Sequence, residues 1–129
     1  MTEKNEMTLN EYQERAMSTC MDTCDNFSYM FLNLVGEVGE LASKVAKAIR
    51  KKDVVINHGE IFYHDDYDWD TAKKEQMQEI ADCLWMIAGL ARVYGVTLEE
   101  LAQMNLDKLA KRKEAGTIDG NGDGIYDRT

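Results

Sequence analysis

Apolar residues recur along most of this chain at intervals of three and four, the spacing of one helical face. The clearest run is Phe31, Leu34, Val38, Leu41, Val45 and Ile49. It predicts a helix that starts near Asn26 or Ser28 and ends near Lys51-Lys52, where basic residues suit the helix dipole. Thr8-Leu9-Asn10-Glu11 fits a capping box, so an earlier helix should run from there to about Met21. A third spans about Thr71 to Tyr94 and stops at Gly95, placed as a C′ glycine. A second capping box, Thr97-Leu98-Glu99-Glu100, opens the fourth, which runs to about Ala115 with Gly116 closing it.

Residues 53–70 break this period. Val54-Val55-Ile56 suits a short extended piece, and His58-Gly59 is a turn signal. The acidic, aromatic run from Tyr63 to Asp70 reads as a loop leading to an N-cap. A loop of this length in a small domain is more often functional than idle. Internal repeats are absent, and residues 1–129 read as one all-α domain built as a helical bundle.

Composition supports this picture. The length of 129 residues suits one domain. The chain has no proline, and four of its nine glycines fall in the last fourteen residues, which leaves the remainder poor in helix breakers. The net charge of −9 argues against sequence-independent nucleic-acid binding and against docking to an anionic membrane. The uncharged stretch Cys83–Ala91 falls short of the roughly 20 residues a transmembrane helix needs. Met1 to Asn10 is polar and lacks the apolar core of a signal peptide. Cys20, Cys24 and Cys83, an odd number, read as reduced packing residues, so a cytoplasmic location is expected.

Candidate chemistry comes from acids on apolar faces. In the third helix Met77, Ile80, Ala81, Leu84, Ile87, Ala88 and Ala91 cover one side, and Met86, Gly89, Leu90 and Val93 cover much of the other. A helix apolar nearly all round is expected to be buried. Yet Glu79 and Asp82 share the face of Met86 and Val93. Buried carboxylates need a counter-charge. The second helix offers a matching pair, Glu37 and Glu40, bracketed by Gly36 and Gly39. Two glycines within a helix cost about 1 kcal/mol each, which suggests that something approaches the backbone closely there. Four hard oxygen ligands on two helices suit Mg²⁺ or Mn²⁺. The competing account pairs these acids with Lys44, Lys47 or Arg92.

The fourth helix has an expected inner stripe of Leu98, Leu101, Ala102, Leu106 and Leu109, with Asn105, Lys108 and Arg112 on or beside it. Cations facing inward near metal-holding acids would suit a phosphate chain. Snorkelling at the bundle edge, or direct ion pairs with the acids, is the plainer account.

These residues resemble a known family. Glu37-Val38-Gly39-Glu40 followed by Glu79-Ile80-Ala81-Asp82 is similar to the ExxE…ExxD signature of the MazG-like all-α nucleoside triphosphate pyrophosphohydrolases. Asn105-Leu106-Asp107-Lys108-Leu109 with Arg112 resembles the downstream Asn-x-x-Lys-Leu segment, and the glycine-rich tail ending in Asp127-Arg128 resembles the closing loop. The segment between the acid pairs is longer than in compact members. The resemblance implies an oligomeric four-helix bundle, a homodimer or homotetramer. It also implies Mg²⁺-dependent hydrolysis of (deoxy)nucleoside triphosphates between the α and β phosphates. Glu37, Glu40, Glu79 and Asp82 would hold the metal, with Glu40 the first candidate for a catalytic base. Lys108 and Arg112 would neutralise charge on the pyrophosphate side, and Asn105 would orient a phosphate oxygen. Tyr12, Phe31 and Trp85 are able to stack on a base but fit core positions better.

Three other readings compete. A ferritin-like di-metal site takes Glu-x-x-His from two helices, whereas His58 and His64 both fall in the expected loop. Asp119–Gly124 imitates the start of a calcium loop but lacks the glutamate at its twelfth position. A non-catalytic helical scaffold would use the acids for solubility alone.

Overall fold

The computed structural model describes residues 6–118. Four helices, α1 (Leu9–Met17), α2 (Phe27–Arg50), α3 (Trp69–Val93) and α4 (Leu98–Ala115), carry the fold. Their starts are local chemistry. Thr8 and Thr97 each form a reciprocal capping box with the glutamate three residues on. Asn26 accepts from the Tyr29 amide, and Asp68 accepts both the amide and the hydroxyl of Thr71. The first helix stops at Met17, four residues before its expected end. There the Ser18 and Thr19 hydroxyls donate back to the Arg15 and Ala16 carbonyls, a local bond that competes with helix continuation.

The expected loop at 53–70 contains a hairpin. β1 (Val54–Asn57) pairs antiparallel with β2 (Glu60–Tyr63), and Asn57 faces Glu60 across the turn. His58 and Gly59 both have positive φ, 51° and 78°, as a two-residue type I′ turn requires. Behind the hairpin, Tyr63 stacks on Trp69 with centroids 5.2 Å apart.

α2 and α3 form the antiparallel pair that positions the site. Their closest approach is at Met30, fully buried, against Gly89: a Cβ on Gly89 would overlap the Met30 thioether. α1 lies across the C-terminal half of α3. The Trp85 indole donates to the Ala16 carbonyl at 3.1 Å, so Trp85 is a packing residue, as is the half-buried Tyr12. Gln13 is the polar pin of this core. Its amide donates to Ala88 and Val96 carbonyls and its oxygen accepts from the Leu98 amide, which fixes the α3–α4 corner. Gly95, with φ 72°, lets the chain turn there, and α4 leaves α3 at 96°.

Several expected core positions are uncovered within the protomer. On α3 the row Met77, Ile80, Leu84 and Ile87 faces solvent, while Met86, Ala88, Gly89 and Ala91 are buried. On α4 the apolar packing stops at Ala102 and only Arg112 beyond it is half-buried; Leu106 is 58% exposed and Leu109 38%. Phe31 is no core residue either, being 47% exposed and stacked on Phe27. The reason is geometric: α1 packs on α3 and β1 on α2, and among the described residues nothing covers these rows. Gly36 and Gly39 likewise meet no close backbone, contrary to the expectation from their helical cost. Among the described residues, no single helix is long and apolar enough to cross a membrane. The 116–129 tail, including the Asp119–Gly124 motif and Asp127-Arg128, lies outside the described residues from Asp119 onward.

Candidate metal centre

At 100° per residue, Glu37 and Glu40 fall on neighbouring positions of one α2 stripe, and α3 brings Glu79 to face them. One carboxylate oxygen from each of Glu37, Glu40 and Glu79 lies within 4.8 Å of the others. Glu79 is the most enclosed, with a side chain 14% exposed. Its Oε1 sits 3.8 Å from the Lys44 ammonium, which also reaches Glu75 at 3.9 Å. Its Oε2 is buried and has no hydrogen-bond donor among the described residues. The plain ion-pair account therefore covers one of its two oxygens.

Such an arrangement repels itself. Lys44 offsets part of this charge, and a proton held between the carboxyls offsets more: that bond to Glu79 is the largest cause pushing Glu37 up to about 7. Desolvation and the charges of Glu40, Asp82 and Glu79 add to it. A divalent cation fits better than a proton. It would offset two of the three negative charges at once and satisfy the orphaned Oε2, and hard carboxylate oxygens are the donor type that suits Mg²⁺ or Mn²⁺.

Asp82 is exposed and lies outside the close set, although its charge is felt at Glu37 and at the Tyr12 hydroxyl. Cys83 lies beside the acids; burial, and then Glu37, Asp82 and Glu79, push its thiol up. It stays a neutral packing thiol, and all three cysteines are free. The histidines play no part, since His58 is in the hairpin turn and His64 follows β2.

Asn105, Lys108 and Arg112 are not gathered onto this cluster. Glu79 is about 21 Å along α3 from Val93, and Lys108 about 15 Å along α4 from Leu98, at 1.5 Å per residue. With the two axes 96° apart, Lys108 stands on the order of 25 Å from Glu79, and Arg112 stands further out. Asn105 and Lys108 are exposed, while Arg112 is half-buried. Helical period alone predicts which face a residue occupies but not the angle at which its helix departs, so Asn105 and Lys108 do not reach the acids within one protomer. The cation that does stand beside the acids is Lys44, four residues after Glu40, which the competing account names as a partner.

A mostly helical protomer with carboxylates from two antiparallel helices gathered at one point defines a class of acid-rich helical proteins. The particular family follows from sequence comparison. The profile of the MazG nucleotide pyrophosphohydrolase domain matches residues 26–117, and the chain belongs to that family. It is 38% identical over 103 residues to the Gene 37 protein of Mycobacterium phage L5, covering 79% of each chain. No solved structure matches it.

Proposed function

We propose that the protein hydrolyses nucleoside triphosphates or their deoxy forms between the α and β phosphates with Mg²⁺ bound, a housekeeping activity on the cytoplasmic nucleotide pool. The observation that carries this reading is the convergence of Glu37, Glu40 and Glu79 within 4.8 Å, with one buried oxygen lacking a donor. Water adds to the α phosphorus, the bridge to the β phosphorus breaks, and the products are the monophosphate and pyrophosphate.

Glu37, Glu40 and Glu79 would hold the cation, with Asp82 completing the set. When bound, the cation would lower the charge on the phosphate oxygens and ease deprotonation of the attacking water. Glu37 has to release its proton before it is a ligand. Glu40, the exposed member of the three, is placed to take the proton from water. Lys44 keeps Glu79 oriented.

Homodimer or homotetramer formation belongs to the same proposal. Phe31, Leu32, Val35 and Val38 on α2 join Met77, Ile80 and Leu84 on α3 as exposed large apolar side chains. Patches of this kind on soluble proteins mark association surfaces. Asn105, Lys108 and Arg112 would then act on the phosphates of a second copy's site, which their distance from their own requires.

The test is to incubate the protein with each nucleotide and Mg²⁺ and separate the products. Monophosphate plus pyrophosphate supports the proposal. Diphosphate plus orthophosphate contradicts it, and absence of turnover with every nucleotide favours the scaffold reading.

A further inference from the structure

The stripe of α2 that carries the acids does not end at Glu40. Glu37, Glu40, Lys44, Lys47 and Lys51 project within about 80° of one another at 100° per residue, so one face changes from acid to base along its length. On α3 the facing row is Glu79, Gln76 and Ala72. Beyond Lys44 the two rows open into a cavity of about 240 Å³ lined by Lys44, Lys47, Lys51, Tyr67, Glu75 and Gln76. Lys44 stands at the junction, 3.8 Å from Glu79 and 3.9 Å from Glu75. Among the described residues Lys47 and Lys51 make no ion pair, although Asp53 also lines the cavity.

This concentration of cations runs against the rest of the molecule. In a chain of net charge −9, five of the fifteen basic residues fall between positions 44 and 52. Lys47 and Lys51 are one turn apart, where like charges repel. Lys52, next to them, holds a positive φ of 63°, a conformation unfavourable for a residue with a Cβ. Lys47 and Lys51, exposed and without an ion pair among the described residues, line one wall of a cavity large enough for an anion.

We propose that Lys47 and Lys51, with Lys44 at the junction, seat the pyrophosphate half of the substrate, its β and γ phosphates. The inference rests on the hydrolysis reading and gives the substrate a direction. The α–β bridge lies over the acids, the terminal phosphates run towards the C-terminal end of α2, and the nucleoside points the other way. Along the helix Lys44 is about 6 Å and Lys47 about 10 Å from Glu40, so a phosphate chain leaving the acids meets the ammonium groups in sequence. A nucleobase suits this cavity less well. It would leave three strongly hydrated point charges facing a neutral ring, with Tyr67 the one aromatic surface in the lining.

Titration calorimetry of inorganic pyrophosphate, with Mg²⁺ present, tests the seat without turnover. The wild-type protein is compared with Lys47→Gln/Lys51→Gln and with Lys73→Gln/Lys74→Gln, which removes the same charge from exposed positions on α3 outside the cavity. The expected result is an affinity loss of about tenfold or more in the first variant, the equivalent of one lost charge-assisted hydrogen bond, and a much smaller one in the second. Equal losses, an unchanged first variant, or no binding by the wild type overturns the seat. So does an unphosphorylated nucleoside whose binding falls in step with pyrophosphate. Nucleotide hydrolysis that proceeds while pyrophosphate binding ignores Lys47 and Lys51 sinks the seat and leaves the reaction. Pyrophosphate binding with the expected pattern, in a protein that hydrolyses no nucleotide, sinks the reaction and leaves the seat.

Discussion

Replacing Glu79 with glutamine separates what the acid cluster costs from what it is for. In the metal-free protein the substitution removes one negative charge from three carboxylates within 4.8 Å and keeps the side chain's size. At that separation a pair of unit charges repels by about 0.9 kcal/mol in water and about 3.5 kcal/mol at an effective dielectric of 20. Because Glu40 is exposed, the lower half of that range applies. Glu79→Gln should therefore stabilise the chelated protein by about 1–2 kcal/mol, a Tm rise of about 4–8 °C for a chain of this length.

The gain should depend on pH in a definite direction. Glu37 is pushed up to about 7 from its ordinary 4.5, chiefly by its bond to Glu79. Between those values the folded protein holds a proton that the unfolded chain has released. Wild-type stability without metal therefore falls as pH rises through this window and levels off above it. The variant loses the main cause of the shift, so its advantage is small near pH 5 and full above pH 7. Thermal unfolding in chelator at several pH values measures this. With Mg²⁺ added, the wild type should gain stability by linkage, and the variant should gain little and turn over no nucleotide. A variant less stable than wild type at high pH in chelator, or equally stabilised by Mg²⁺, would refute the charge-cluster argument.

Gly89→Ala should destabilise the fold by up to about 2 kcal/mol, since overpacking against Met30 costs about 1–3 and the alanine returns about 1 in helix propensity. In a Met30→Ala background the same substitution should become neutral or favourable, as chemical denaturation of the four proteins will show. Glu40→Gln and Asp82→Asn should each abolish turnover while far-UV dichroism keeps the wild-type helix signal; near-normal activity in either removes that residue from the site. Light scattering should give at least twice 14.7 kDa, and Val38→Asp, on the exposed apolar face of α2, should lower that mass with helix content kept. A monomeric wild type would overturn the association argument.

What could be read from the sequence divides by the range of the interaction responsible. Helix starts are contacts between residues three apart, and they fall where the caps put them: Thr8, Asn26, Asp68 and Thr97. The hairpin depends on His58 adopting positive φ before Gly59, which histidine does far less readily than asparagine or aspartate. Its turn signal and the extended piece Val54-Val55-Ile56, now β1, were visible all the same, and β2 was not. The direction of α4 is set by Gln13 bonding three backbone groups across more than seventy residues of sequence, and no local pattern encodes that. Misplacing Asn105, Lys108 and Arg112 within the protomer follows from this one gap.

The acids were legible for a different reason. A carboxylate on an apolar helical face is a local contradiction, and two at matching spacing on neighbouring helices point to a shared remedy. The structure sharpens that remedy: Lys44 satisfies one oxygen of Glu79 and leaves the other bare. Neutralising the cluster with further lysines would have stabilised the fold and closed the site. Instead the next cations along the same stripe, Lys47 and Lys51, stand about two and three turns beyond Glu40 and pair with none of the acids. Charges of opposite sign kept apart on one helix face raise the energy of the empty protein. That separation becomes favourable once a bridging occupant is bound, a cation at one end and an anion at the other. A metal–polyphosphate has that polarity, whereas a scaffold that used its acids only for solubility would gain nothing from keeping the two groups apart.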